Sequence, residues 1–190
     1  MFDEIKILIN TDRNLDQLKS NLSSVSVVPF QEIEFNSSEF RDRNTLNRNC
    51  KRIQKNSNPL IYTIEFKERK MLPPLIEKFK TFHKENKTRV KNKDRVNISR
   101  FNNTNSNFLY VGSSTTKFLD RIKNHFGTRG NRVYSLHLCK WDENLTYNLT
   151  LRTYEIVSEN DEKPKRILVE LIEQQIWDVL KPIFGKRSGL

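Results

Sequence analysis

The stretch Phe108 to Phe126, FLYVGSSTTKFLDRIKNHF, constrains the fold of this chain more than any other. Its aromatic and β-branched start predicts a strand over Phe108 to Val111, followed by a tight Gly112-Ser113-Ser114 turn and then a helix. Thr115 or Thr116 suits the N-cap, and Gly127 stands where a left-handed C-terminal residue belongs. On that helix Phe118, Leu119, Ile122 and Phe126 recur at helical spacing and predict one buried face. Arg121 and His125 are four apart, on a stripe about 95° from the centre of that face at about 100° per residue. A guanidinium offers a planar fork to phosphate oxygens and an imidazole titrates near neutrality, so the pair beside Tyr110 suits phosphate chemistry. The same residues also read as the ordinary flank of an amphipathic helix.

The rest of the chain supplies partners for this unit. Residues 5–9 (IKILI) and Val27 to Phe35 read as strands, with Leu15, Leu18 and Leu22 on a short helix between them. Phe40, Leu46, Cys50 and Ile53 predict a helix within 37–56, its outer side carrying Arg41, Arg43, Arg48, Lys51 and Arg52. Leu60 to Phe66 alternates as a strand, and Pro73-Pro74 opens a helix with Leu75, Phe79 and Phe82 on one face. From 84 to 107 the sequence is polar and Asn-rich without clear periodicity, which predicts a long loop. Residues 132–141 (RVYSLHLCKW) read as a strand, paired across an Asp142-Glu143-Asn144 turn with 144–156, and His137 reads as a half-buried strand residue rather than a ligand. Asp161 to Pro164 leads into a helix over about 165–180 with Leu168, Leu171, Ile172, Ile176 and Val179 on its apolar face, ended by Pro182 and Gly185.

Charge narrows the partner. The chain carries a formal +11, and residues 66–107 alone hold twelve Lys and Arg against four Asp and Glu, a balance of 12 − 4 = +8. A basic loop between two strands suggests an arm laid on a phosphate backbone, with Lys84, Lys87, Arg89, Lys91, Lys93, Arg95 and Arg100 as candidate contacts. A solvated insertion is the plainer alternative. No apolar run approaches the length of a membrane span, and Met1-Phe2-Asp3-Glu4 does not start a signal peptide. Cys50 and Cys139 are far apart without CxxC spacing, which argues against a disulfide framework or a structural zinc site. A cytoplasmic, bacterial-type intracellular setting is expected, with no membrane partner.

Taken together, these elements resemble the GIY-YIG nuclease family. Leu60-Ile61-Tyr62 stands in place of its first motif, with Leu for Gly, and Leu109-Tyr110-Val111-Gly112 in place of the second, with Val for Ile. Arg121 and His125 match its helix motif, and Glu173 precedes Pro182 by the family's nine-residue spacing. The resemblance covers 58–187. It implies an α+β fold with a small three-stranded antiparallel sheet flanked by helices, preceded by an N-terminal extension (1–57) packed on that core. It departs from the family twice: 48 positions (110 − 62) separate the two tyrosines, leaving a basic insertion over 67–107, and Gly185 occupies a position where the family often has Asn.

The resemblance further implies an Mg²⁺- or Mn²⁺-dependent endonuclease cutting double-stranded DNA, of restriction type and acting as a homodimer on DNA. Its catalytic residues would be Tyr62, Tyr110, Arg121, His125 and Glu173, with Glu173 also the metal ligand and either Tyr62 or His125 the general base. Ser113 and Lys117 would join the basic residues named above at the DNA. The alternatives are a catalytically weak or inactive DNA-binding protein on this scaffold, a repair or homing enzyme, and an RNA-directed nuclease.

Overall fold

The computed structural model describes residues 3–91, 93–159 and 163–188. The features expected at Met1, Phe2, Asp161 and Glu162 lie outside the described residues.

The chain is α+β. Four antiparallel strands form one sheet in the order β1-β4-β2-β3: β1 (Val25–Asn36), β2 (Leu60–Phe66), β3 (Phe108–Ser114) and β4 (Asn148–Ser158). Five α-helices accompany them among the described residues: α1 (Glu4–Ser23), α2 (Arg43–Asn49), α3 (Leu72–Thr88), α4 (Phe118–Phe126) and α5 (Arg166–Leu180). The expected sheet has three strands; the fourth, β1, comes from the N-terminal segment and pairs along the full length of β4.

β2 is buried on both faces, which is why Leu60 to Phe66 is almost uniformly apolar. Tyr62, Ile64 and Phe66 face the main core, where Phe35, Phe40, Phe79 and Phe126 also meet. Ile61 faces a smaller cluster under α5 with Ile156 and Val169. Leu75, Phe79 and Phe82 bury the inner face of α3 as the spacing predicts.

Several local expectations are overturned. Residues 5–9 belong to α1, not to a strand: Asp3 caps that helix by accepting from the Lys6 N–H at 3.1 Å, and Glu4 favours its first turn. The helix expected over 37–56 is broken into a 3₁₀ turn, α2 and a second 3₁₀ turn. Asn36 and Asp42 each start a new segment by capping, so the chain turns twice where periodicity alone reads through. The strand expected over 132–141 is irregular and ends in a 3₁₀ turn, because both edges of β4 are already taken by β1 and β2. His137 is fully buried at a left-handed position, φ 52°, with Nε2 2.8 Å from the Val133 carbonyl. The Asp142 turn exists, but Asp142 is buried and holds Arg41 and Tyr147, each at 2.8 Å.

The insertion is not a free arm. α3 runs on to Thr88, and Val96, Ile98 and Ser99 are buried. Residues 100–106 then line the C-terminal segment: Asn102 N–H donates to Ile183, Thr104 Oγ1 to Lys181 and Ser106 Oγ to Leu180 carbonyls. These donors satisfy carbonyls at and just beyond the end of α5.

Candidate active site

Register brings the two tyrosines together. Tyr62 lies opposite Gly112 on the neighbouring strand, and Tyr110, two residues from Gly112, projects from the same face. Their rings stack with centroids 6.1 Å apart despite their separation in sequence. Gly112 is no turn residue; it lies within β3, and a Cβ there would stand 2.7 Å from Tyr62 Oη and 2.8 Å from Tyr110 Cε1. Glycine is needed at this position for space.

α4 starts later than the sequence implies. Lys117, in the left-handed region at φ 49°, occupies the N-cap position without a side-chain cap, so neither Thr115 nor Thr116 has that role. Gly127 does end the helix in the left-handed region, at φ 92°. Ile122 and Phe126 are buried, Phe118 is half-buried and packs on Tyr62 at 5.2 Å, but Leu119 is exposed. The buried face is thus rotated towards His125, which is 3 % exposed.

His125 Nε2 lies 2.9 Å from Tyr62 Oη, and its Nδ1 accepts a long bond, 3.4 Å, from the Leu136 backbone N–H. A backbone N–H can only donate, so the ring proton sits on Nε2 and is given to the Tyr62 oxygen. Burial, then His137 and Arg121, pushes the His125 pKa down to about 3, which keeps the ring neutral. Arg121 is exposed, and its positive charge acts on the Tyr62 oxygen. Burial and the neighbouring Tyr110 push Tyr62 well above the usual phenol range, with Arg121 opposing them. Tyr110 is pushed up to about 12 by burial and by Glu173, again against Arg121.

Glu173 completes the group from α5, 9 % exposed. Ser113 Oγ donates to its Oε2 at 2.5 Å and Ser188 Oγ to its Oε1 at 3.1 Å. Burial raises its pKa, offset by those two serines and by Arg121. It forms no ion pair within 4 Å among the described residues. A buried carboxylate with one lone pair per oxygen left over and no cation in contact suits a divalent ion. No group of three or more His, Cys, Asp and Glu is assembled among the described residues, so any metal here would rest on one carboxylate and water, as Mg²⁺ tolerates.

Gly185 sits at φ 110°, and a Cβ there would be 3.1 Å from the Tyr110 ring. Asn102 Nδ2 donates to the Pro182 and Gly185 carbonyls, both at 3.0 Å, so an amide from the insertion clasps this turn.

Tyr62, Tyr110, Arg121, His125 and Glu173 are therefore gathered at the edge strand β3. The basic residues are not gathered with them. Lys84 and Lys87 are exposed on α3, Arg100 is exposed beyond it, and Lys91 lies on the turn between. Arg89 lies over the Phe82 ring at 5.3 Å and Arg95 is half-buried. Lys93 lines a separate cleft with Arg129 and Arg132. Lys117 is exposed near the start of α4, and Ser113 is engaged by Glu173. Ser188 and Asn102 escaped sequence reasoning, since neither lies at a spacing that signals its distant partner. Comparison with protein-family models, with curated proteins and with solved structures finds no match for this chain.

Proposed function

We propose that this chain is a metal-dependent endonuclease that hydrolyses phosphodiester bonds in double-stranded DNA, site-specific in the restriction manner and built on a GIY-YIG-like core. The observation that carries the reading is the setting of one oxygen. Tyr62 Oη accepts from His125 Nε2 at 2.9 Å, while burial and Tyr110 push its pKa well above the usual phenol range and Arg121 opposes them, so Tyr62 reaches the phenolate only with added positive charge at the site. That geometry supports Tyr62 rather than His125 as general base, because both His125 ring nitrogens are already engaged, Nε2 with Tyr62 and Nδ1 with the Leu136 N–H.

Each residue then has a task. Tyr62 takes the proton of the attacking water. Tyr110, held protonated up to about 12, donates to and orients that water or the phosphate. Arg121, exposed at the rim, binds the scissile phosphate and neutralises charge that grows in the transition state. Glu173, braced by Ser113 and Ser188, would hold the metal. A divalent cation held at Glu173, Mg²⁺ or Mn²⁺, would supply positive charge that stabilises the transition state and favours the Tyr62 phenolate. Two copies on one duplex would allow both strands to be cut.

The test is conversion of supercoiled plasmid to nicked and linear forms. Wild type should do so with Mg²⁺ or Mn²⁺ and stop on chelation, and Tyr62→Phe should slow it by about 10²-fold or more. Cleavage that survives chelation would refute the metal, and an active Tyr62→Phe would refute the base.

A further inference from the structure

The fold sorts the basic insertion onto rigid surfaces. Lys80, Lys84 and Lys87 follow one another at helical spacing on α3, spanning about 10 Å at about 1.5 Å per residue. They line a cleft whose other wall is residues 98–101. Arg100 and Phe101 also line a second cleft, bounded by Trp177, Lys181, Lys186 and Arg187. The two clefts adjoin at Arg100. Arg187 on the second cleft is followed in the chain by Ser188, whose hydroxyl donates to Glu173.

The cations along this path are mostly free. Lys80 pairs with Glu77 and Arg187 with Asp178. Lys84, Lys87, Arg100, Lys181 and Lys186 form no ion pair within 4 Å among the described residues. The unopposed field is felt at His83, which lines the first cleft: after burial, Lys87 and Arg95 are what hold its imidazole below the ordinary range. Five unpaired cations in one continuous trough suit a regular polyanion, and a DNA strand presents a phosphate about every 3.4 Å along the axis.

We propose that this trough, pivoting on Arg100 between α3 and the C-terminal segment, is the track that holds the phosphate backbone of duplex DNA on its way to Glu173. The proposal rests on the nuclease reading above and adds the path. Lys84, Lys87, Arg100, Lys181 and Lys186 each neutralise a phosphate and release counterions. Because they stand on a helix and on a segment bound to the end of α5, little chain entropy is lost when DNA docks. Lys93, with Arg129 and Arg132 in the cleft beside α4, lies off the track.

The test measures binding apart from cleavage: anisotropy of a short labelled DNA duplex, with chelator present, across a range of salt concentrations. The triple variant Lys84→Gln, Lys87→Gln, Arg100→Gln should bind roughly a hundredfold more weakly near physiological salt, and its slope of log affinity on log salt should be shallower by about 3. The triple Lys93→Gln, Arg129→Gln, Arg132→Gln removes the same charge from the other cleft and should change the slope by less than about 1. Thermal denaturation checks that both remain folded. Equal losses in the two triples, or no loss in the first, would overturn the track while leaving the catalytic reading intact, whereas tighter binding of an RNA duplex would overturn both the track and the DNA substrate. A wild type that binds no duplex at any salt would overturn both.

Discussion

Gly112→Ala is the substitution whose cost follows most directly from the geometry. The added methyl would stand 2.7 Å from Tyr62 Oη, 2.8 Å from Tyr62 Cζ and 2.8 Å from Tyr110 Cε1, where carbon contacts settle at about 3.5–4.0 Å. Both rings, or the strand between them, must move by about 1 Å. Tyr62 has nowhere to go: it is 0 % exposed, packed on Phe118 and bonded to His125 at 2.9 Å. Tyr110 is backed by Gly185 on its other edge. Overpacking of this kind costs about 1–3 kcal/mol, which at this chain length lowers Tm by about 2–12 °C. Catalysis should suffer more, since a 1 Å displacement of a reacting group can cost about 10²-fold. Gly130→Ala is the matched control, because nothing lies within 4 Å of the methyl that alanine would add there, and it should shift Tm by about 1 °C or less. Calorimetry and plasmid cleavage on the three proteins decide the matter. A Gly112→Ala protein with wild-type Tm and rate would refute the packing argument and, with it, the tyrosine pair as a rigid catalytic unit.

Three further outcomes follow from the same site. Glu173→Gln should abolish metal-dependent cleavage yet leave Tm unchanged or raised, because burial already disfavours the charge at neutral pH; a large fall in Tm would contradict this. Gly185→Asn should lower Tm and activity rather than improve either, given φ 110°, the 3.1 Å approach to Tyr110 and the clasp already made by Asn102; a more active variant would overturn that role for Asn102. His125, pushed down to about 3, binds its proton more tightly in the unfolded chain, so its contribution is complete above about pH 6.5 and is lost as pH falls towards 3. Urea titrations at pH 7.5 and 5 should show wild type losing about 2 kcal/mol more than His125→Gln on acidification, and equal losses would refute a neutral buried His125.

The site was more legible in the sequence than the sheet that carries it. Tyr62, Tyr110, Arg121, His125 and Glu173 sit on elements with strong local signals: a doubly buried strand, a strand ended by a helix with a left-handed Gly127, and a long amphipathic helix. Spacing along such elements translates directly into position. What stayed hidden depends on contacts distant in sequence. Nothing local says that β4 will pair with β1 and β2, leaving 132–141 without an edge. Residues 5–9 carry β-branched side chains that suit a strand, yet they lie in α1, which Asp3 caps and Glu4 favours in its first turn. Residues 100–106 look like a polar loop because their Asn, Thr and Ser side chains serve carbonyls at the end of α5 rather than a periodic core.

The central claim is that the five gathered side chains cut DNA. Its most direct measurement is the mapping of cut ends in plasmid digested with Mg²⁺ by wild type, Arg121→Ala and Glu173→Gln, each first shown to be folded and to bind duplex. Wild type should give ends clustered at one short sequence, and both variants should leave the plasmid uncut. Intact plasmid from wild type with either Mg²⁺ or Mn²⁺, or equal cutting by the Glu173→Gln protein, would contradict that claim.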